Sequence, residues 1–181
     1  PIVYCDDEKG DSVTAYRFNK TTGQLKAFHT LSTLPADFDG AKNSCADIEI
    51  TRDGKFIYAS NRGHNSIAGF AVDAKTGKLK SIGQFATGEV PRSFNLGPDN
   101  KWLIAAGQRS HDLHIYERNP KTGKLINVRL QPTGKGPERK SVGERKIVNR
   151  RDGRFIKKKR HHEISRRSWI TLENHSSYVR T

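Results

Sequence analysis

An all-β fold assembled from repeated four-stranded sheets is the architecture this sequence predicts, and three observations predict it. First, Arg52-Asp53-Gly54-Lys55-Phe56-Ile57-Tyr58-Ala59-Ser60 reappears as Pro98-Asp99-Asn100-Lys101-Trp102-Leu103-Ile104-Ala105-Ala106, and Lys75-Thr76-Gly77-Lys78-Leu79 as Lys121-Thr122-Gly123-Lys124-Leu125, a period of 46 residues. Second, an earlier copy ends at Thr21-Thr22-Gly23-Gln24-Leu25, with Tyr4, Ser12 and Tyr16 standing 54 residues before Tyr58, Ser66 and Phe70. Third, the apolar runs are short, rich in Ile, Val, Phe and Tyr, and bounded by turn residues, which favours strands over helices. Repeats of about 40 to 50 residues made of short β-segments mean a propeller.

The middle repeat shows the elements most clearly. Strands are expected at Ala46 to Thr51, Phe56 to Asn61, Ser66 to Asp73 and Leu79 to Ala86. Arg52-Asp53-Gly54-Lys55 joins the first pair and Ala74-Lys75-Thr76-Gly77-Lys78 the last, each with a Gly that supplies the positive φ of a tight turn. The connection to the next repeat, Thr87-Gly88-Glu89-Val90-Pro91-Arg92, is of a different type. Leu34 to Ser44 widens that same connection in the earlier copy and accounts for its eight extra residues. An insertion confined to one loop leaves the blade intact.

A closed propeller has typically four to eight blades, and only two full repeats and two partial ones are visible here. The chain has no Met and begins with Pro1 inside an apparent strand, so we expect an internal or C-terminal piece of a longer protein. No apolar run approaches the ~18 residues of a membrane span, and no signal peptide is visible. Cys5 and Cys45 fall in or beside strands, where buried small residues are expected rather than a disulfide; this suits a reducing compartment.

Gly134 and Pro137 still keep the repeat register, lying 46 residues beyond Gly88 and Pro91, and the register stops there. From Glu138 to Thr181 there are 14 Lys and Arg against 5 Asp and Glu, so most of the chain's net +14 belongs to this stretch. We divide the chain into a partial propeller, residues 1–137, and a basic tail, residues 138–181, expected to be disordered or frame-shifted and not part of the fold. A change of reading frame near Pro137 explains a break in mid-blade. As native sequence, Lys157-Lys158-Lys159-Arg160-His161-His162 with Phe155, Trp169 and Tyr178 nearby reads as a nucleic-acid-binding arm. No nucleic-acid partner is expected of residues 1–137.

Antiparallel order puts the start of strand one, the end of strand two, the start of strand three and the end of strand four at one edge of each blade. Asp47, Arg62, His64, Arg92, Gln108, Arg109 and His111 all fall at that edge, and the Asp-Gly and Thr-Gly hairpins at the other. Asp47 and Glu49, two apart on a strand, point the same way. His111 and His114, three apart, are expected on one strand facing opposite sides, which argues against a shared metal. No Cys, His and carboxylate cluster has metal-ligand spacing, and neither a phosphate-binding Gly-rich loop before a helix nor a nucleophile elbow is visible.

Ala46-Asp47-Ile48-Glu49-Ile50-Thr51-Arg52-Asp53-Gly54-Lys55, Tyr58-Ala59-Ser60-Asn61-Arg62-Gly63, Pro91-Arg92-Ser93-Phe94-Asn95 and Leu103-Ile104-Ala105-Ala106-Gly107-Gln108-Arg109-Ser110-His111 together resemble the bacterial, propeller-type 6-phosphogluconolactonases over residues 1 to about 137. The resemblance implies about three blades, four-stranded and antiparallel, from the C-terminal part of a seven-bladed propeller. The implied activity is that of a cytoplasmic carboxylic-ester hydrolase, monomeric at full length and away from membranes, which opens 6-phospho-D-glucono-1,5-lactone in the pentose phosphate pathway. It implies no metal and no organic cofactor. The family often has His where Glu49 stands, and a Trp-Val strand where the basic tail follows Pro137.

On this reading Arg62 and Arg92, with Gln108, bind substrate, because a bidentate guanidinium suits phosphate and a developing oxyanion alike. Asp47 is the first candidate for the base that activates water, with His64 or His111 next. A related lactonising or cycloisomerising enzyme would use the same face on a dicarboxylate such as carboxymuconate. A non-catalytic propeller would serve as an interaction scaffold. Little or no catalysis is expected of the 181 residues alone, since the remaining blades contribute to the site.

Overall fold

The computed structural model describes residues 1–40 and 42–137, together with the backbone of one strand at 169–172. The order is β1 (Ile2–Asp7), β2 (Ser12–Phe18), β3 (Leu25–Ser32), β4 (Cys45–Ile50), β5 (Phe56–Asn61), β6 (Ser66–Val72), β7 (Leu79–Ala86), β8 (Pro91–Leu96), β9 (Trp102–Gly107), β10 (Asp112–Arg118), β11 (Leu125–Pro132) and β12 (Trp169–Leu172). They form three four-stranded antiparallel sheets, β12-β1-β2-β3, β4-β5-β6-β7 and β8-β9-β10-β11. The expected strands of the middle repeat agree with β4 to β7 to within one residue at each end.

Each sheet is made by the same local chemistry. Asn19, Asp73 and Asn119 open the outer hairpins, their side-chain Oδ1 accepting backbone N–H groups two and three residues on. Gly23, Gly77 and Gly123 close them at φ of 72, 73 and 71°, where a side chain would be strained. Asp11, Asn65 and His111 occupy the equivalent place before β2, β6 and β10 at φ of 48, 53 and 58°. A bulge recurs between Ala15 and Tyr16, Gly69 and Phe70, and Ile115 and Tyr116, twisting each blade at the same point. The sequence repeat is thus also a conformational one.

Two apolar cores hold the three sheets face to face. Ile57 and Ala59 of β5 join Tyr4, Val13, Ala15, Ile48, Ala68, Phe70 and Leu79 in the first. Their neighbours Phe56 and Tyr58 join Ile67, Phe94, Leu103, Ala105, Tyr116 and Leu125 in the second. Alternate residues of one strand therefore serve opposite faces, and β5 is buried along its whole length. Hydroxyl groups cross the seams: Tyr4 donates to the carbonyl of Gly77 at 2.7 Å, and its repeat partner Tyr58 to that of Gly123 at 2.6 Å.

The strand β12 lies antiparallel to β1 at the innermost position, which β4 and β8 fill in the other sheets. There β1 offers a ladder edge, and the extended segment satisfies its N–H and C=O groups. The rest of the basic tail, including its expected nucleic-acid arm, lies outside the described residues. Cys5 and Cys45 are buried free thiols, and burial pushes Cys45 up to about 12, so it stays protonated. Among the described residues no helix is long and apolar enough to cross a membrane.

Candidate active site

The strand directions bring the expected residues to one edge. Asp47 is the third residue of β4, and Arg62 and His64 lie in the turn from β5 to β6. Arg92 is second in β8, and Gln108, Arg109 and His111 lie in the turn from β9 to β10. Their surroundings differ greatly.

Asp47 is buried, and its carboxylate joins the second and third blades. Oδ2 accepts the Phe94 N–H of β8 at 3.2 Å and Oδ1 the Ile48 N–H at 3.1 Å, while its own N–H donates to Ser60 Oγ. Glu49, on the same face as expected, accepts the Leu96 N–H at 2.7 Å and the Asn95 amide at 3.1 Å. Two acids spaced by two thereby fix the entry of β8, which carries Arg92.

A carboxyl group that sequence reasoning passed over lies within electrostatic reach of Asp47. Asp6, near the end of β1, is 8 % exposed. Burial raises it to about 6, its own backbone N–H works against that, and the negative charges of Asp47, Asp7 and Glu8 raise it further. The signal was in the repeat: the equivalent positions are Ser60 and Ala106, so a carboxyl group stands where the other blades place small neutral side chains.

Arg62 is turned onto the protein. Its guanidinium donates to Glu8 Oε1 at 2.5 Å and to the Cys45 carbonyl at 3.0 Å, and Nε reaches the Ser44 carbonyl at 3.5 Å. The loop inserted before β4 lies against His64. Asn43 Oδ1 accepts the N–H groups of Gly63 and His64 at 2.8 and 3.0 Å, and the Phe38 ring meets the imidazole edge-on at 5.0 Å. His64 Nδ1 is 2.7 Å from the hydroxyl of the fully buried Ser66.

His111 is exposed in the turn and not on the strand, a correction to the expected register; its Nδ1 accepts the Gly136 N–H at 3.0 Å. His114, on β10, faces Asn127 and Asp112 instead. Gln108 is half-buried and its N–H donates to the Val90 carbonyl, while Arg109 is exposed. Arg92 presents an exposed side chain on β8, the strand that Asp47 and Glu49 brace. No group of three or more His, Cys, Asp or Glu among the described residues could hold a metal ion. The edge combines guanidinium groups, two buried carboxyl groups in electrostatic contact and one oriented imidazole, a set suited to binding an anion and moving a proton.

Known proteins give the chain a lineage. The chain is 34 % identical over 135 residues to a 6-phosphogluconolactonase of Serratia proteamaculans, covering 75 % of this chain and 40 % of that protein. It is 41 % identical over 125 residues to an uncharacterised protein of Lactococcus lactis, covering 68 % and 36 %. Among solved structures, the periplasmic gluconolactonase of Pseudomonas aeruginosa superposes with a TM-score of 0.70 at 26 % identity, over 76 % of this chain and 38 % of that one. A protein of Lactobacillus plantarum gives the same TM-score at 31 % identity, over 74 % and 39 %. The chain thus spans about two fifths of the length of the curated relatives it matches. The profile of the family described as Lactonase, 7-bladed beta-propeller matches residues 1–141, more than half of the chain, and the chain belongs to that family.

Proposed function

We propose that the propeller to which these blades contribute hydrolyses a sugar δ-lactone, 6-phospho-D-glucono-1,5-lactone, to 6-phosphogluconate. The observation that carries this reading is the shared edge, to which β8 brings the exposed Arg92 and β4 the buried Asp47, itself in electrostatic contact with the buried Asp6. The relatives named 6-phosphogluconolactonase support the phosphorylated substrate. A cytoplasmic setting fits that substrate and the two free cysteines.

In the proposed reaction a water oxygen attacks the lactone carbonyl carbon while Asp47 accepts its proton. The carbonyl oxygen becomes an oxyanion facing cationic or hydrogen-bond donors, and such stabilisation is usually the largest catalytic contribution. Collapse of the tetrahedral centre breaks the bond from that carbon to the ring oxygen. The proton passes to this oxygen, and an open-chain acid results. Arg92 holds the 6-phosphate or the developing oxyanion through its planar fork. Arg62 and Gln108 shape the same edge, and His64 and His111 stand at its two turns.

The test uses the complete propeller, with the phosphorylated lactone and unphosphorylated gluconolactone as paired substrates. Arg92→Ala is expected to lower kcat/KM for the phosphorylated lactone at least about tenfold, the loss of one charged hydrogen-bond partner. Unchanged kinetics would remove Arg92 from the site. Hydrolysis of neither lactone would overturn the reading.

A further inference from the structure

Among the described residues the eight-residue enlargement occurs only in the connection before β4, and its residues converge on the turn of the next blade that carries His64. Asn43 accepts the N–H groups of Gly63 and His64, and its amide donates to Asp11 Oδ1 at 2.7 Å and to Asn61 Oδ1 at 3.1 Å. Gly63 carries no side chain because the inserted backbone lies on it: a Cβ there would collide with the Lys42 carbonyl oxygen. Phe38 stands edge-on to the His64 ring and also packs over Gly40, where a Cβ would meet its ring. From below, the fully buried Asn61 joins the same assembly. Its amide donates to the Thr33 carbonyl at 3.0 Å and to Ser66 Oγ at 3.1 Å, and its Oδ1 accepts Thr33 Oγ1 at 2.8 Å.

Hydrogen-bond accounting decides how the imidazole is held. Ser66 Oγ is 0 % exposed, and Asn61 can only donate to it. The Ser66 proton therefore needs an acceptor, and the one among the described residues is His64 Nδ1 at 2.7 Å. Buried polar groups are satisfied, so Ser66 donates to Nδ1 and the neutral ring carries its proton on Nε2. The equivalent pair is Gly10 and Ser12 in the first blade and Ser110 and Asp112 in the third. Among the described residues the imidazole and its buried hydroxyl partner therefore occur only in the second blade, the one that the insertion precedes.

We propose that the Leu34–Ser44 insertion and the Asn61–Ser66 pair are a positioning device that holds His64 as a neutral hydrogen-bond donor through Nε2, directed at the lactone's carbonyl oxygen. This rests on the lactonase reading and changes the part His64 plays within it. With Nδ1 occupied by the Ser66 hydroxyl and Nε2 protonated, the ring has no free lone pair to take a proton from water. It can stabilise the oxyanion that forms as water attacks, and the base is a different group.

Two measurements on different footings test this. In the 181-residue chain, two-bond proton–nitrogen spectra read the imidazole directly, with His64→Gln used to assign it. The expected pattern at neutral pH is an unprotonated Nδ1 and a protonated Nε2, moving toward a tautomer mixture in Ser66→Ala and restored in Ser66→Thr. A protonated Nδ1 in the unsubstituted chain overturns the proposal, and that result needs no variant to fold. In the complete propeller, Asn43→Ala is expected to lower kcat about tenfold with KM within about twofold, because a misplaced group costs rate more than affinity. A shifted tautomer with unchanged kcat overturns the catalytic part of the proposal. Absence of any lactone hydrolysis overturns the functional reading, while the spectra still decide the positioning.

Discussion

Burying a carboxyl group disfavours its charged form, and at Asp6 this makes folding depend on pH. Its folded value of about 6 lies above the ordinary 3.8, so the stability linked to its protonation is fully present below about pH 4 and is lost as the pH rises through 6. Two units correspond to about 3 kcal/mol. Replacing Asp6 by Asn keeps the shape and removes the charge. We expect Asp6→Asn to raise the urea midpoint at pH 7 by an amount equivalent to about 2 to 3 kcal/mol, and to flatten the decline in stability between pH 4 and 7. Parallel slopes in the two proteins would show that Asp6 is not the group responsible. If Asp6 instead shares a proton with Asp47 during turnover, the same variant loses activity while gaining stability, the usual opposition at a site tuned for chemistry.

Between neighbouring elements, the tyrosine links show how one blade recognises the next. Tyr58 donates to the carbonyl of a turn glycine 65 residues away, and burial raises the phenol far above its ordinary value, so it remains a donor. Tyr58→Phe leaves the Gly123 carbonyl without that donor at little cost in shape; a loss of about 1 to 3 kcal/mol is expected, read as a lower denaturant midpoint with an unchanged slope. Gly123→Ala should cost more, since φ is +71° and a Cβ would strike the Phe56 ring. If Gly123→Ala is the milder of the two, the turn is not held by that ring. The turns and strands of the middle repeat were legible in the sequence because strand alternation and Asp-Gly or Thr-Gly turns are local signals. The Asn43 and Ser66 contacts to His64 were not. They join residues from separate elements through side-chain hydrogen bonds, which no periodicity encodes. The same reason hid the bracing of β8 by Asp47 and Glu49: spacing placed both acids on one face but could not name what that face meets. His111 was misplaced on a strand because an αL residue leaves no trace in hydropathy.

At the scale of the whole molecule, the repeat makes surfaces as well as cores. Tyr58 is fully buried against the third blade, whereas its repeat partner Ile104 is 40 % exposed; Ile82 packs into the second core, whereas its partner Val128 is 48 % exposed. The third sheet thus presents the kind of face that the second sheet buries. The first blade shows the complementary side. Gly77 and Gly123 are covered by Ile2 and Phe56, but none of the described residues lies within 4 Å of a Cβ placed at the equivalent Gly23. A surface that fits the opposite end of its own repeat makes head-to-tail contacts, which close into rings or continue as open chains. The 181-residue chain is therefore expected to self-associate with rising concentration, and Ile104→Lys with Val128→Lys to shift it toward monomer in sedimentation velocity, with no loss of secondary structure. Charge at these positions blocks docking because a lysine ammonium buried without a partner is costly. If the unsubstituted chain stays monomeric at high micromolar concentration, the exposed face of the third sheet does not dock on the first blade of a second copy.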